Sequence, residues 1–173
     1  SSSECISSLI GGELLQYPMN GTSPVRCGNR DEIMAPHNVY RCAGDDKWIS
    51  IAVADDEEWE NLCRVMGNPK WAKNEIFKDQ ERRWENQKEL DAHISEWTIN
   101  YTGYDLMHML QNAGVAAMPS FCAEEILNDP HMAERGKFIE VEHPILGEKW
   151  VVTPPWKMSE TPAKIYKATP LLG

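Results

Sequence analysis

Residues 104–136, YDLMHMLQNAGVAAMPSFCAEEILNDPHMAERG, constrain the fold more than any other stretch. Leu106, Met109, Leu110 and Ala113 recur at i, i+3, i+4 and i+7, one apolar face of a helix. Thr102 and Asp105 fit a capping box at its start, and Gly114 suits its stop. Val115 to Met118 is then an apolar run long enough for one buried strand, which Pro119 closes. Ala123, Ile126 and Leu127 start a second helix, which Asn128-Asp129-Pro130 interrupts. Each turn signal sits where the periodicity changes, the agreement between levels that a folded domain shows.

The chain upstream reads in the same way. Residues 1–19 carry a loose apolar stripe of Ile6, Leu9, Ile10 and Leu14, broken by Gly11-Gly12. A lone helix of that length is marginal in water and needs something to pack on. Residues 20–24 are a connector, and residues 24–38 have no clean period and read as an extended loop. Residues 40–43 and 47–53 are β-rich, and Gly44-Asp45-Asp46 between them is a hairpin signal. Ile49, Ile51 and Val53 alternate with Trp48, Ser50 and Ala52, the pattern of a half-buried sheet. Asp55 and Glu58 start a helix whose buried stripe is Trp59, Leu62, Cys63 and Met66, and Gly67 ends it. Leu90, Ile94 and Trp97 mark one long helix over 81–100, its charged faces turned to solvent. Residues 138–141 and 150–153 form a second hairpin around Leu146-Gly147-Glu148. The prolines at 154, 155, 162 and 170 make residues 154–173 an irregular tail. The fold class expected is α+β, a small and mostly antiparallel sheet with helices packed on one side. The division expected is a linker helix and connector over 1–24, a small domain over 25–153, and the tail.

The totals exclude several function classes. A formal net charge of −10 and scattered basic residues argue against a nucleic-acid partner. Five cysteines, at 5, 27, 42, 63 and 122, form no CxxC pair and fit reduced thiols, hence a cytoplasmic setting. No apolar run approaches the roughly 20 residues of a membrane helix. The start without Met, on SSSE, and the abrupt PLLG ending read as a piece of a longer chain.

Complete catalytic sets are not visible either. The histidines at 37, 93, 108, 131 and 143 include no i, i+4 pair and none stands at a zinc spacing. Cys63 lies on a core stripe; Cys122 opens a helix, where the dipole could lower a thiol pKa. Acid runs such as Asp55-Asp56-Glu57-Glu58 sit at helix starts, where charge and dipole account for them. Met107, Met109 and Met118 read as core. The most site-like stretch is the loop over 26–38, which mixes Arg, Gly, Asn, acids, Pro and His; it either links two bodies or lines a cleft.

Taken in order, the segments are VRCGN at 25–29, APHNVYRCAGDDKWISIAV at 35–53, DEEWENLCRVMGNPKW at 56–71, and Arg82 or Arg83 before the long helix. NAGVAAMPS, ILNDPHMAERG, EHPILG and TPAKIYKATPLLG follow. Each alone is weak, but this succession resembles the small-domain portion of the family III CoA-transferases, which include formyl-CoA transferase, carnitine CoA-transferases and α-methylacyl-CoA racemases. The resemblance implies a parent enzyme that exchanges CoA between an acyl-CoA and a free carboxylic acid through an aspartyl anhydride. It implies no tightly bound cofactor, the CoA thioester being substrate. The nucleophilic aspartate and most CoA contacts belong to a larger Rossmann-like domain, so no catalytic residue is assigned in this chain, and the piece alone is expected to be inactive. A mobile glycine-rich loop covers the active site in that family. Residues 28–37, GNRDEIMAPH, stand in its place without the glycine run. Gly28, Asn29, Arg30, Asp31 and His37 are therefore the substrate-loop candidates, and Ile33 and Met34 suit a larger or apolar acid. The family also forms interlocked homodimers. Two other readings stay open at this point: a piece of an acyl-CoA racemase, and a non-catalytic interaction domain.

Overall fold

A computed structural model describes residues 1–171. The chain divides into two compact units, Ser1–Ser120 and the part from Phe121 onward. Strand pairing follows the same division: among the described residues the strands form one three-stranded sheet and one two-stranded sheet. The antiparallel content is shared between two small sheets, not gathered in one.

The first unit begins with α1 (Ser2–Leu9) and α2 (Gly11–Asn20), and neither contains a buried residue. The stripe expected there is exposed, with Leu9 83% and Ile6 60% accessible. An irregular segment leads to β1 (His37–Arg41), which pairs with β2 (Trp48–Ala52). Helix α3 (Asp56–Val65) opens on Asp55, whose carboxylate accepts from the Glu58 amide at 2.8 Å, while Glu58 accepts from Ala54 N at 2.7 Å. Residues 70–73 and 75–77 form two short 3-10 turns that bring Phe77 into the core.

The long helix expected over 81–100 is two helices, α4 (Gln80–Glu85) and α5 (Gln87–Thr98). Asn86 breaks it. Its side-chain amide donates to the Arg82 carbonyl at 2.8 Å, competing with the backbone ladder. The charged faces of this segment are not all solvated. Arg83 is fully buried, and Asp91 accepts from the Tyr40 hydroxyl at 2.6 Å and from Asn38 Nδ2 at 2.9 Å.

Helix α6 (Gly103–Asn112) starts at Thr102, whose hydroxyl accepts from the Asp105 amide, and leads through Gly114 into β3 (Ala116–Pro119). Gly114 has φ +82°, the left-handed region that favours glycine. Gly103 is required for another reason: a Cβ there would stand 2.9 Å from the Pro119 ring. The sheet order is β1-β2-β3, antiparallel throughout. Tyr40, Ile49, Ile51 and Ala117 face the core with Trp59, Leu62, Phe77, Leu90, Ile94, Leu106 and Leu110. By register, His37, Val39, Arg41, Trp48, Ser50, Ala52, Ala116 and Met118 share the opposite face. Within the first unit the helices that build the core lie on one side of the sheet. Met118, expected in the core, lies on the open side and is 44% exposed.

The second unit contains α7 (Ala123–Asn128), α8 (Pro130–Glu134) and the hairpin of β4 (Phe138–His143) with β5 (Gly147–Val152). The Asp129 carboxylate caps α8 through the Met132 amide at 2.8 Å. His143 Nδ1 accepts from the Ile145 and Leu146 amides, so it is a turn residue. Beyond Thr153 the tail has no helix or strand through residue 171, and positions 172 and 173 lie outside the described residues. Lys137 Nζ holds the Thr153 carbonyl at 2.9 Å, and Arg135 holds that of Pro155 at 3.3 Å.

Candidate functional site

The open face of the first sheet is the floor of a groove of about 650 Å³. Val39, Ser50, Ala52, Ala116 and Met118 supply the floor, Gln111 of α6 closes one side, and Gly28, Asn29, Arg30 and His37 rise on another. Small residues at 50, 52 and 116 make the hollow. The alternation in β2 already marked this as the mixed face, but no local signal identified Gln111, whose amide reaches the Ala117 carbonyl at 2.8 Å.

Four of the five loop candidates meet at this groove. Gly28 turns the chain with φ +70°, and the Arg30 amide closes a turn on the Cys27 carbonyl at 3.4 Å. His37 Nδ1 lies 2.6 Å from the Asn29 carbonyl. A carbonyl only accepts, so Nδ1 carries the proton, and in the neutral ring Nε2 is left as the acceptor. Asn29 Nδ2 donates to Asn38 Oδ1 at 3.0 Å, and Asn38 is held in turn by Asp91. Through this chain of contacts α5 sets the position of the loop's first half.

Asp31 is the exception. It does not line the groove; its carboxylate accepts from the Ile33 and Met34 amides at 2.8 and 2.9 Å. These bonds, Met34 foremost, hold its pKa below the ordinary carboxylate value of 3.8. The loop's second half is further held by Trp84 Nε1 on the Asp31 carbonyl at 2.9 Å and Gln80 on the Ile33 carbonyl at 2.9 Å. A depressed folded-state pKa contributes stability above pH 3.8 that is lost as pH falls through the folded value. The Trp84 indole proton is therefore expected to lose its protection from exchange only below that pH, followed by NMR. A transition between pH 5 and 8 would contradict the assignment to Asp31.

The groove's electrostatics are simple. Arg30 is the only Lys or Arg among the lining residues, and no Asp or Glu lines it. Arg41 lies instead over the Trp48 ring at 5.1 Å. No nucleophile is poised here. Burial pushes the Cys63 thiol up to about 11 and raises that of Cys42, so neither is a thiolate at neutral pH. Among the described residues no group of three or more His, Cys, Asp and Glu gathers as a metal site would, and no helix is long and apolar enough to cross a membrane. A second cavity, about 760 Å³, lies in the other unit under the tail. It gathers Arg135, Lys137, Lys157 and Lys164, two of which hold tail carbonyls.

Comparison with known proteins decides the family, because the model of CoA-transferase family III matches residues 1–173. The chain belongs to CoA-transferase family III. This family III chain is 34% identical over 170 residues to a protein named succinyl-CoA–D-citramalate CoA-transferase from Chloroflexus aurantiacus, covering 98% of the chain and 42% of the relative. It is 32% identical over 166 residues to a protein named succinyl-CoA:mesaconate CoA-transferase from Haloarcula marismortui, covering 95% and 41%. Among solved structures, a CaiB/BaiF family protein from Brucella suis superposes with TM-score 0.82 at 26% identity, over 98% of the chain and 43% of that protein. The family III chain thus spans somewhat over two fifths of these relatives.

Proposed function

We propose that this chain is the small-lobe portion of an enzyme that moves CoA between an acyl-CoA and a free carboxylic acid, and that the groove beside residues 28–37 forms one wall of its thioester site. The observation that carries this reading is the uncovered sheet face: a hollow of about 650 Å³, walled by Gly28, Asn29, Arg30 and His37, in a chain that matches the family from end to end. A sheet face without a layer over it belongs against another body. The exposed apolar residues of α1 and α2 fit a linker that packs on a larger lobe, and residues 154–171 fit a return toward it. Coverage of 42% of the citramalate enzyme leaves room for that lobe.

The chemistry follows from carboxylate nucleophilicity. An aspartate oxygen of the large lobe attacks the thioester carbon, the C–S bond breaks and CoA thiolate leaves, giving an acyl–aspartyl anhydride. The thiolate attacks the aspartyl carbonyl, releasing the donor acid and leaving an aspartyl–CoA thioester. The acceptor carboxylate attacks that thioester and expels the thiolate, which then attacks the acceptor carbonyl of the new anhydride. The new acyl-CoA forms and the aspartate returns unchanged. Each step exchanges one activated carbonyl for another, so no nucleotide is consumed. The groove wall would exclude water from the anhydride, which water would hydrolyse. We place the assembly in the cytoplasm as a homodimer with interlocked subunits.

The test is to assay the full polypeptide that contains this chain, and the chain alone, with an acyl-CoA in deuterated water, with and without an acceptor acid. Acceptor-dependent CoA exchange by the full polypeptide only is the expected result. Deuteration next to the thioester carbonyl without an acceptor would assign a racemase instead, and exchange by the chain alone would remove the large lobe from the mechanism.

A further inference from the structure

We infer that Arg30 is a specificity-determining residue that reads a second carboxylate, so that the acid handled at this groove is a dicarboxylate or its mono-CoA thioester. The inference rests on the groove being part of the thioester site. Among the described residues, the Arg30 guanidinium makes no hydrogen bond or ion pair within the chain, although its backbone is fixed by the Cys27 turn and its neighbour Asn29 is tied to Asn38 and His37. Every other polar side chain around it except Ser50 is engaged inside the chain: Asn29 and His37 with each other's segment, Asn38 with Asp91, Gln111 with Ala117. A free planar fork on a fixed backbone, beside a groove with no acid in its lining, suits bidentate capture of a carboxylate.

The floor sets the rest of the substrate's chemistry. Val39, Ala52, Ala116 and Met118 offer an apolar surface with no charge, suited to a short hydrocarbon chain between two polar ends. One carboxyl group would be the one that exchanges CoA. The other would sit at Arg30. A monocarboxylic acid of the same length would leave the guanidinium without that partner and gain nothing from it. The residue is exposed and makes no internal side-chain contact through hydrogen bonds, so replacing it leaves the fold intact.

The test compares the full polypeptide with its Arg30→Gln and Arg30→Lys variants in two equilibrium-exchange assays: radiolabelled succinate into succinyl-CoA, and radiolabelled butyrate into butyryl-CoA. Arg30→Gln is expected to lower kcat/KM for the succinate pair roughly 10- to 100-fold, chiefly through KM, because a charge-assisted pair is lost. The butyrate pair, which brings no second carboxylate, is expected to lose less, so that the succinate-to-butyrate ratio of kcat/KM falls about tenfold or more, and Arg30→Lys to fall between, since it keeps charge without the fork. Equal loss on both pairs, or loss on neither, overturns the inference while leaving the transferase reading in place. Equilibrium dialysis of radiolabelled succinate against the same proteins separates the two claims. If the wild type exchanges neither pair, the dialysis decides. Succinate binding that disappears in Arg30→Gln then still supports the assignment, and binding that is absent from the wild type or unchanged in the variant overturns it.

Discussion

Replacing Arg83 by alanine lowers the unfolding free energy by about 3–5 kcal/mol, the range for emptying a large core site. Urea denaturation of the chain measures it. Arg83 is 0% exposed, yet it is charged, and every part of its fork is used. Nε donates to the Ala35 carbonyl at 3.2 Å, Nη1 to that of Phe77 at 3.4 Å, and Nη2 to the Asp56 carboxylate at 2.6 Å. Its guanidinium also stands 5.0 Å from the Trp59 ring centroid. Alanine leaves a void and strips two carbonyls of their donor. Methionine refills the void but not the donors, so Arg83→Met still loses about 1–3 kcal/mol for the carbonyls left unpaired. Asp56→Asn is the mildest change. Asp56 is 63% exposed, water screens it, and the remaining contacts of Arg83 persist, so its loss stays near the roughly 1 kcal/mol of surface ion pairs. If Asp56→Asn proves as harmful as Arg83→Ala, the ion pair and not the three-way fork holds this site.

Asp91→Ala comes next in size, with about 2–4 kcal/mol lost, since hydrogen bonds to charged groups contribute roughly 1.5–3 kcal/mol each and are not fully additive. The carboxylate holds two groups of β1: the Tyr40 hydroxyl and the Asn38 amide. Tyr40 is 2% exposed, and burial first, then the neighbouring carboxylate, keeps its phenol protonated. Without Asp91 that hydroxyl is a buried donor with no acceptor. Tyr40→Phe removes the donor as well, so the double variant Asp91→Ala/Tyr40→Phe recovers part of the loss. A cycle with zero coupling would deny the contact. The change also travels to the groove. Asn38 fixes Asn29, so backbone amides over 28–30 exchange faster with solvent in Asp91→Ala than in the parent.

These two residues also mark where sequence reasoning stopped. The α3 and α6 helices, the β1–β2 hairpin, β3 and the β4–β5 hairpin all followed from signals within a few residues: caps, period and turn chemistry. Ile49, Ile51 and Val53 faced the core as alternation required. Arg83 and Asp91 sat among Glu, Lys and Arg on what periodicity reads as a solvated helix face. Their partners Asp56, Ala35, Tyr40 and Asn38 lie 27 to 53 positions away in sequence. Hydrophobic periodicity carries no information on such distant pairs, and a buried charge looks like a surface charge until its partner is known. The break at Asn86 was missed because asparagine is common on helix surfaces and acts here through its side-chain bond to Arg82. At the groove, the loop candidates were legible as an irregular polar stretch. Asp31 is a candidate because residues 28–37 stand in the place of the family's loop; its side chain binds the Ile33 and Met34 amides in an Asx pattern.

The distribution of thiols makes this chain convenient for labelling. Cys42 and Cys63 are interior and protonated, so a maleimide at neutral pH meets Cys5, Cys27 and Cys122, which are exposed. The Cys27 sulfur hydrogen-bonds the Arg30 carbonyl at 3.3 Å. With Cys5 and Cys122 changed to serine, a dye on Cys27 reports on the turn whose backbone carries Arg30.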